Sequence, residues 1–108
     1  MHWELIVFLA AAVAVALGCL LPARWLPILP HDKLLHFMAF AGLGSLALRI
    51  EPAWNLRLLW LLGLLLAGLA IELLQKLVPG RSFCWHDMRA NTAGIAAAAL
   101  VFGLLQVI

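Results

Sequence analysis

The chain has 108 residues, of which 67% are hydrophobic and 11% charged, and its mean hydropathy is +1.10. A water-soluble domain of this length could not cover so much apolar surface, whereas lipid removes the need to cover it. The net charge of +2 comes from scattered side chains without a basic run, so nucleic acid is not an expected partner. Cys19 and Cys84 form no CxxC pair and indicate no redox motif.

Prolines divide the apolar sequence into four segments, because a proline inside a helix removes a hydrogen bond and clashes with the preceding turn. Each segment is long enough to cross a hydrocarbon core of about 30 Å. The first segment follows Met1-His2-Trp3-Glu4, which lacks the positive region of a signal peptide, so we expect it to be a membrane span. The sequence therefore predicts an all-α membrane protein, a single four-transmembrane-helix bundle over residues 1–108, with helices at roughly 4–21, 32–50, 55–78 and 87–107.

The orientation of this bundle depends on how its basic residues are interpreted. The side with loops one and three carries more Lys and Arg, so the positive-inside rule places both termini outside the cytoplasm. If Lys33, Arg81 and Arg89 belong to a binding site, however, the remaining basic residues divide equally and the orientation stays open.

Polar side chains concentrate at one predicted membrane face, where helix two begins, helix three ends and helix four begins. Residues three or four apart share a helix face, so each group is one-sided. Gly94 and Ala98 continue the third group with small residues that permit close helix packing. The three groups are Asp32, Lys33 and His36; Glu72, Gln75 and Lys76; and Asp87 and Asn91.

Glu72 is the polar residue whose predicted depth in the membrane is hardest to explain by a structural role. It is predicted roughly 9 Å inside Val78, below the headgroups. A carboxylate at that depth costs about 3 kcal/mol on insertion scales unless it faces the bundle interior and has a partner. The candidate partners are Lys33, His36 and Arg81.

The other members also admit structural roles. Lys33, Lys76 and Arg89 could be interfacial anchors, and His36 could be a packing residue. Asp residues suit helix N-caps, and amides can bridge helices. The residues with these last alternatives are Asp32, Asp87, Asn91 and Gln75.

The ordered motifs in helices two to four resemble the VanZ-like family, small bacterial membrane proteins associated with resistance to the glycopeptide teicoplanin. The resemblance implies a multi-pass protein of the bacterial cytoplasmic membrane. The chain differs from the family pattern at Cys84-Trp85-His86, where a polar residue commonly precedes the Asp87 position. The matching segments are Asp32-Lys33-Leu34-Leu35-His36-Phe37 with Phe40, Glu72-Leu73-Leu74-Gln75, and Pro79-Gly80-Arg81 leading to Asp87, Asn91 and Gly94.

We expect the polar face to recognise an anionic envelope lipid or a lipid-linked cell-wall intermediate, and the sequence leaves open whether the protein is an enzyme. In the enzymatic alternative, His36, Glu72 and Asp87 would transfer protons in a phosphoryl- or glycosyl-type reaction. The ligand-binding candidates are Asp32, Lys33, Gln75, Arg81 and Asn91.

Two further classes remain. A zinc site could be drawn from Cys84, His86, His31, Asp32 and His36, but their spacing matches no standard pattern, so no metal or cofactor is assigned. A structural or transport subunit is the other class, with possible homo-oligomer contacts at Gly63, Gly68, Gly94 and Ala98.

The predicted topology can be tested by cysteine labelling. After replacement of Cys19 and Cys84, the variants Ile28→Cys and Phe83→Cys should react with an impermeant thiol reagent from the same side of the membrane. Labelling of the two positions from opposite sides would contradict the four-helix topology.

Overall fold

A computed structural model describes residues 3–21, 32–78 and 85–107. These residues form four α-helices and no strand, which confirms the predicted fold class. All four are long and apolar enough to cross a membrane. The helices are α1 (Trp3–Leu20), α2 (Asp32–Ile50), α3 (Trp54–Gln75) and α4 (Trp85–Val107).

Two helix boundaries differ from the prediction by two residues or more. Helix α3 ends at Gln75, and the next three residues form a turn whose amides bond to carbonyls three residues earlier. Helix α4 begins at Trp85, so Asp87 is its third residue and not its N-cap. The capping alternative for Asp87 is therefore wrong, and its carboxylate is available for contacts with other helices.

Side-chain contacts at one end of the bundle show that neighbouring helices are antiparallel. Arg49 at the end of α2 donates from Nε to Oε2 of Glu4, at the start of α1, over 2.7 Å. Trp54 at the start of α3 donates from Nε1 to Oε1 of Gln106, at the end of α4, over 2.9 Å. We call this the terminal end, because the first and last helical turns of the described chain lie there.

The opposite end of the bundle is called the site end. Gln75 at the end of α3 donates to the backbone oxygen of Cys19 in α1. Lys33 in α2 contacts Asp87 in α4, and both residues belong to the first turn of their helix. Helices α2 and α4 therefore run parallel to each other, as do α1 and α3, in an up-down-up-down arrangement.

The distribution of apolar and polar side chains between surface and interior is the reverse of that in a water-soluble protein. The exposed surface is rich in large apolar side chains, whereas several polar side chains are buried. Lipid solvates leucine well and carboxylates poorly, so this distribution fits a bundle surrounded by hydrocarbon. The buried polar or charged residues are Arg57, Glu72, Gln75, Asp87 and Asn91.

Helices α2 and α4 pack most closely, because Gly94 lacks a side chain. A Cβ atom at Gly94 would lie 2.9 Å from the backbone nitrogen of Ala41 and even closer to the backbone oxygen of Phe37. At Gly44, two turns further along the contact, a Cβ would lie 3.1 Å from Cβ of Ala98. The predicted close approach along Gly94 and Ala98 is thus confirmed, and its partner is α2.

Arg57 is buried at the terminal end, where it contacts the end of α2 and two aromatic rings. Only 6% of the residue is exposed, so this basic residue is not a surface charge. Its Nε donates to the backbone oxygens of Leu48 and Glu51, where α2 ends and carbonyls lack partners within the helix. The guanidinium also lies over the rings of Trp54 and Phe102, at 4.9 and 4.6 Å from their centroids.

Replacing Gly94 by alanine should destabilise the bundle by about 1 to 3 kcal/mol, because the new methyl group meets backbone that cannot rotate away. Gly103→Ala is a matched control on the same helix, since a Cβ there meets nothing within 4 Å. Thermal unfolding in detergent measures both variants. Equal melting temperatures for Gly94→Ala and Gly103→Ala would contradict the close approach.

Candidate functional site

The site end brings together five polar residues from three helices. We call them the polar cluster: Lys33 and His36 from α2, Glu72 from α3, and Asp87 and Asn91 from α4. Their convergence follows from the one-sided spacing in each helix and from the parallel packing of α2 against α4.

An ion pair between the first turns of α2 and α4 forms the outer part of the cluster. Nζ of Lys33 lies 2.6 Å from Oδ1 of Asp87. The lysine side chain is 49% exposed, whereas the aspartate side chain is 9% exposed. Lys33 therefore extends from the bundle surface to a largely buried carboxylate, so it is more than an interfacial anchor.

His36 lies one turn deeper and connects the same two helices. Its Nδ1 is 3.2 Å from Oδ1 of Asn91. An amide oxygen only accepts, so this hydrogen bond needs a proton on Nδ1. In the neutral ring the lone pair is then on Nε2, which lies 3.8 Å from Oδ2 of Asp87. That separation is too long for a hydrogen bond.

Glu72 reaches the cluster from the third helix. The residue is 0% exposed, as its predicted depth requires. One carboxylate oxygen from Glu72, one from Asp87 and one ring nitrogen of His36 all lie within 4.8 Å of one another. We call these three residues the acid–histidine triad. A basic and two acidic side chains at this separation are able to exchange protons or share a cation.

Gly68 lies next to both the polar cluster and the apolar core. A Cβ at Gly68, one turn before Glu72, would lie 3.2 Å from both the Phe40 ring and Nδ2 of Asn91. The missing side chain of Gly68 therefore leaves room for Asn91 of the cluster and for Phe40 of the core. Phe40 is 2% exposed and belongs to that core.

Gln75 has a structural partner in α1. Its Nε2 donates to the backbone oxygen of Cys19 over 2.7 Å, and the residue is 2% exposed. This bond ties the end of α1 to the end of α3. A ligand-binding role for Gln75 remains a prediction, and its bridging role is the contact that the structure describes.

Several sequence predictions fall outside the described residues. Arg81 and the side chain of Asp32 are among them, as are His31 and Cys84 from the alternative zinc set. His86, a further member of that set, is exposed. Asn91 is predicted from the sequence as a ligand-binding residue or a helix bridge, and the structure describes the bridge, a hydrogen bond from His36 of α2.

Comparison with known protein families gives a match over nearly the whole chain. A family model described as VanZ/LLP1 matches residues 3–106 of the 108-residue chain. No curated protein and no solved structure matches significantly. The match includes α1, which carries none of the motif residues, so the similarity extends over all four helices. The chain belongs to the VanZ/LLP1 family.

Proposed function

We propose that the polar cluster recognises the headgroup of an anionic envelope lipid or a lipid-linked cell-wall intermediate in the bacterial cytoplasmic membrane. The observation that carries this proposal is the burial of Glu72, Asp87 and Asn91 together at one end of a bundle whose outer surface is apolar. Ionisable side chains inside membrane proteins are costly, and they mark functional sites more often than packing sites.

Exposed cations surround the buried acids at the site end. Lys33 is half-exposed, and Lys76 and Arg89 are exposed. The positive end of the α4 helix dipole lies at the same level, where it favours anions. Arg81 adds a guanidinium shortly before α4 in the sequence, with a planar fork suited to phosphate oxygens. These charges support binding of an anionic headgroup at the membrane surface.

An open groove on α4 supports a lipid more than a soluble anion. Trp85 is 68% exposed, as expected for an aromatic side chain at the membrane interface. The groove begins there and continues for three turns towards the bilayer centre, so an acyl chain could lie along it. Its lining is mostly apolar and consists of Trp85, Met88, Arg89, Thr92, Ala93 and Ala96.

A lipid held in this way connects the site to the glycopeptide tolerance that the VanZ resemblance implies. By binding, presenting or modifying a wall intermediate, the protein would change what a glycopeptide meets at the cell surface. The acid–histidine triad favours modification as the second candidate function. Its His36, Glu72 and Asp87 are close enough for acid–base catalysis of phosphoryl or glycosyl transfer on a lipid-linked substrate.

Packing within the chain limits the homo-oligomer alternative. Gly94 and Gly68 contact neighbouring helices of the same chain, and Ala98 is buried. A Cβ at Gly63, in contrast, would meet nothing within 4 Å. Among these four positions, only Gly63 is exposed for a contact with a second copy.

The lipid proposal predicts an effect of Arg81→Lys. This change keeps the charge but loses the bidentate fork, so the amount of anionic lipid that co-purifies in mild detergent should fall about tenfold. Arg49→Lys is the matched control, because Arg49 lies at the terminal end and pairs with Glu4. Mass spectrometry of extracted lipid gives the measurement. Equal lipid content in the wild type and Arg81→Lys would contradict the phosphate role.

Neutralising the buried acids separates function from folding. Glu72→Gln and Asp87→Asn preserve shape, so both variants should insert and remain monodisperse while teicoplanin tolerance is lost. If the acids were only structural, removing one would leave a buried charge uncompensated, at a cost of about 3 to 5 kcal/mol. Thermal stability and tolerance are measured together, with Glu51→Gln as an acid control at the terminal end. A large loss of stability with every loss of tolerance would refute a dedicated site.

A further inference from the structure

We propose that His36, Glu72 and Asp87 bind one divalent transition-metal ion of the zinc or manganese type. Each residue offers one ligand atom, and these atoms lie within 4.8 Å of one another. One imidazole nitrogen and two carboxylate oxygens form a donor set that both metals accept in proteins. The sequence names these three residues as candidate proton-transfer groups, but it does not indicate a metal site, because they lie on three helices and follow no metal-ligand spacing.

The distances need little adjustment to hold an ion. Bonds of about 2.0 to 2.2 Å place two ligands of one zinc ion about 3 to 4 Å apart. Nε2 of His36 and Oδ2 of Asp87 are already 3.8 Å apart. The remaining separations are at most 4.8 Å, which is close to the separation of two ligands around one ion.

Neighbouring residues orient two of the three ligands. The hydrogen bond from Nδ1 of His36 to Asn91 leaves the Nε2 lone pair directed to the triad. Metal-binding histidines commonly have such a second-shell acceptor on the other nitrogen. Lys33 holds Oδ1 of Asp87 at 2.6 Å, which leaves Oδ2 for the ion. The ion pair and the metal therefore use different oxygens of one carboxylate.

Burial distinguishes the triad from an ordinary group of surface acids. Glu72 is 0% exposed and Asp87 6% exposed, so both carboxylates lie in a poorly hydrated space where a cation is bound without strong competition from water. Three protein ligands leave a fourth position of the ion open. A phosphate oxygen of a headgroup is the kind of ligand that the open position accepts.

Metal retention tests the proposal directly. The full chain is purified in detergent, treated with chelator, incubated with Zn²⁺ or Mn²⁺ and desalted, and its metal content is measured by mass spectrometry. We expect about one ion per chain in the wild type and a loss of about tenfold or more in His36→Gln and Glu72→Gln. His86→Gln and Glu51→Gln are matched controls outside the triad, and they should retain the ion.

A spectroscopic measurement keeps the test valid if a variant folds poorly. Co²⁺ bound to the wild type should give visible d–d absorption, and Zn²⁺ should raise its melting temperature by mass action. Absence of both effects in the wild type, or equal metal content in all four variants and the wild type, would overturn the proposal. Because the measurement uses metal alone, its result does not depend on the lipid co-purification experiment, so failure of the metal proposal and failure of the lipid proposal are told apart.

Discussion

The close contact between Gly94 and the α2 backbone is the constraint on which the polar cluster depends. A Cβ at Gly94 would overlap the backbone oxygen of Phe37, so the two helices can approach this closely only at a residue without a side chain. His36 directly precedes Phe37, and Asn91 lies one turn before Gly94. The register that the glycine sets is therefore the register that joins His36 to Asn91 and, one turn further out, Lys33 to Asp87.

Buried charged groups have different surroundings at the two ends of the bundle. At the terminal end, the Arg57 guanidinium is satisfied by carbonyls at the end of α2 and by two aromatic rings. Those partners are backbone and aromatic groups, and they leave no ionisable cluster behind. At the site end, Lys33 pairs with Asp87, and the ligand atoms of two buried carboxylates and an imidazole lie close together. Such a cluster of ionisable groups is more typical of a functional site than of helix packing.

The sequence predicts the helices and the common face of the polar residues because proline positions and helical periodicity are local signals. It does not predict the partners, since pairing depends on helix rotation and register. Arg57 shows this limit: charge counting treats it as exposed, although it is buried against α2 and α4. Gln75 shows it too, because its acceptor is a backbone oxygen of α1, which no side-chain pattern can reveal.

Charge balance connects the proposed metal to the proposed lipid. The described cluster holds two carboxylates, Glu72 and Asp87, and one lysine, Lys33, so an anionic headgroup approaching the triad meets two acidic side chains. A divalent ion on the triad reverses the local sign and gives a phosphate oxygen a direct partner. Without an ion, the exposed cations at the rim must hold the headgroup by themselves, and the buried acids oppose it. A metal ion bound to the triad would therefore make the buried Glu72 carboxylate compatible with the binding of an anion at the same place.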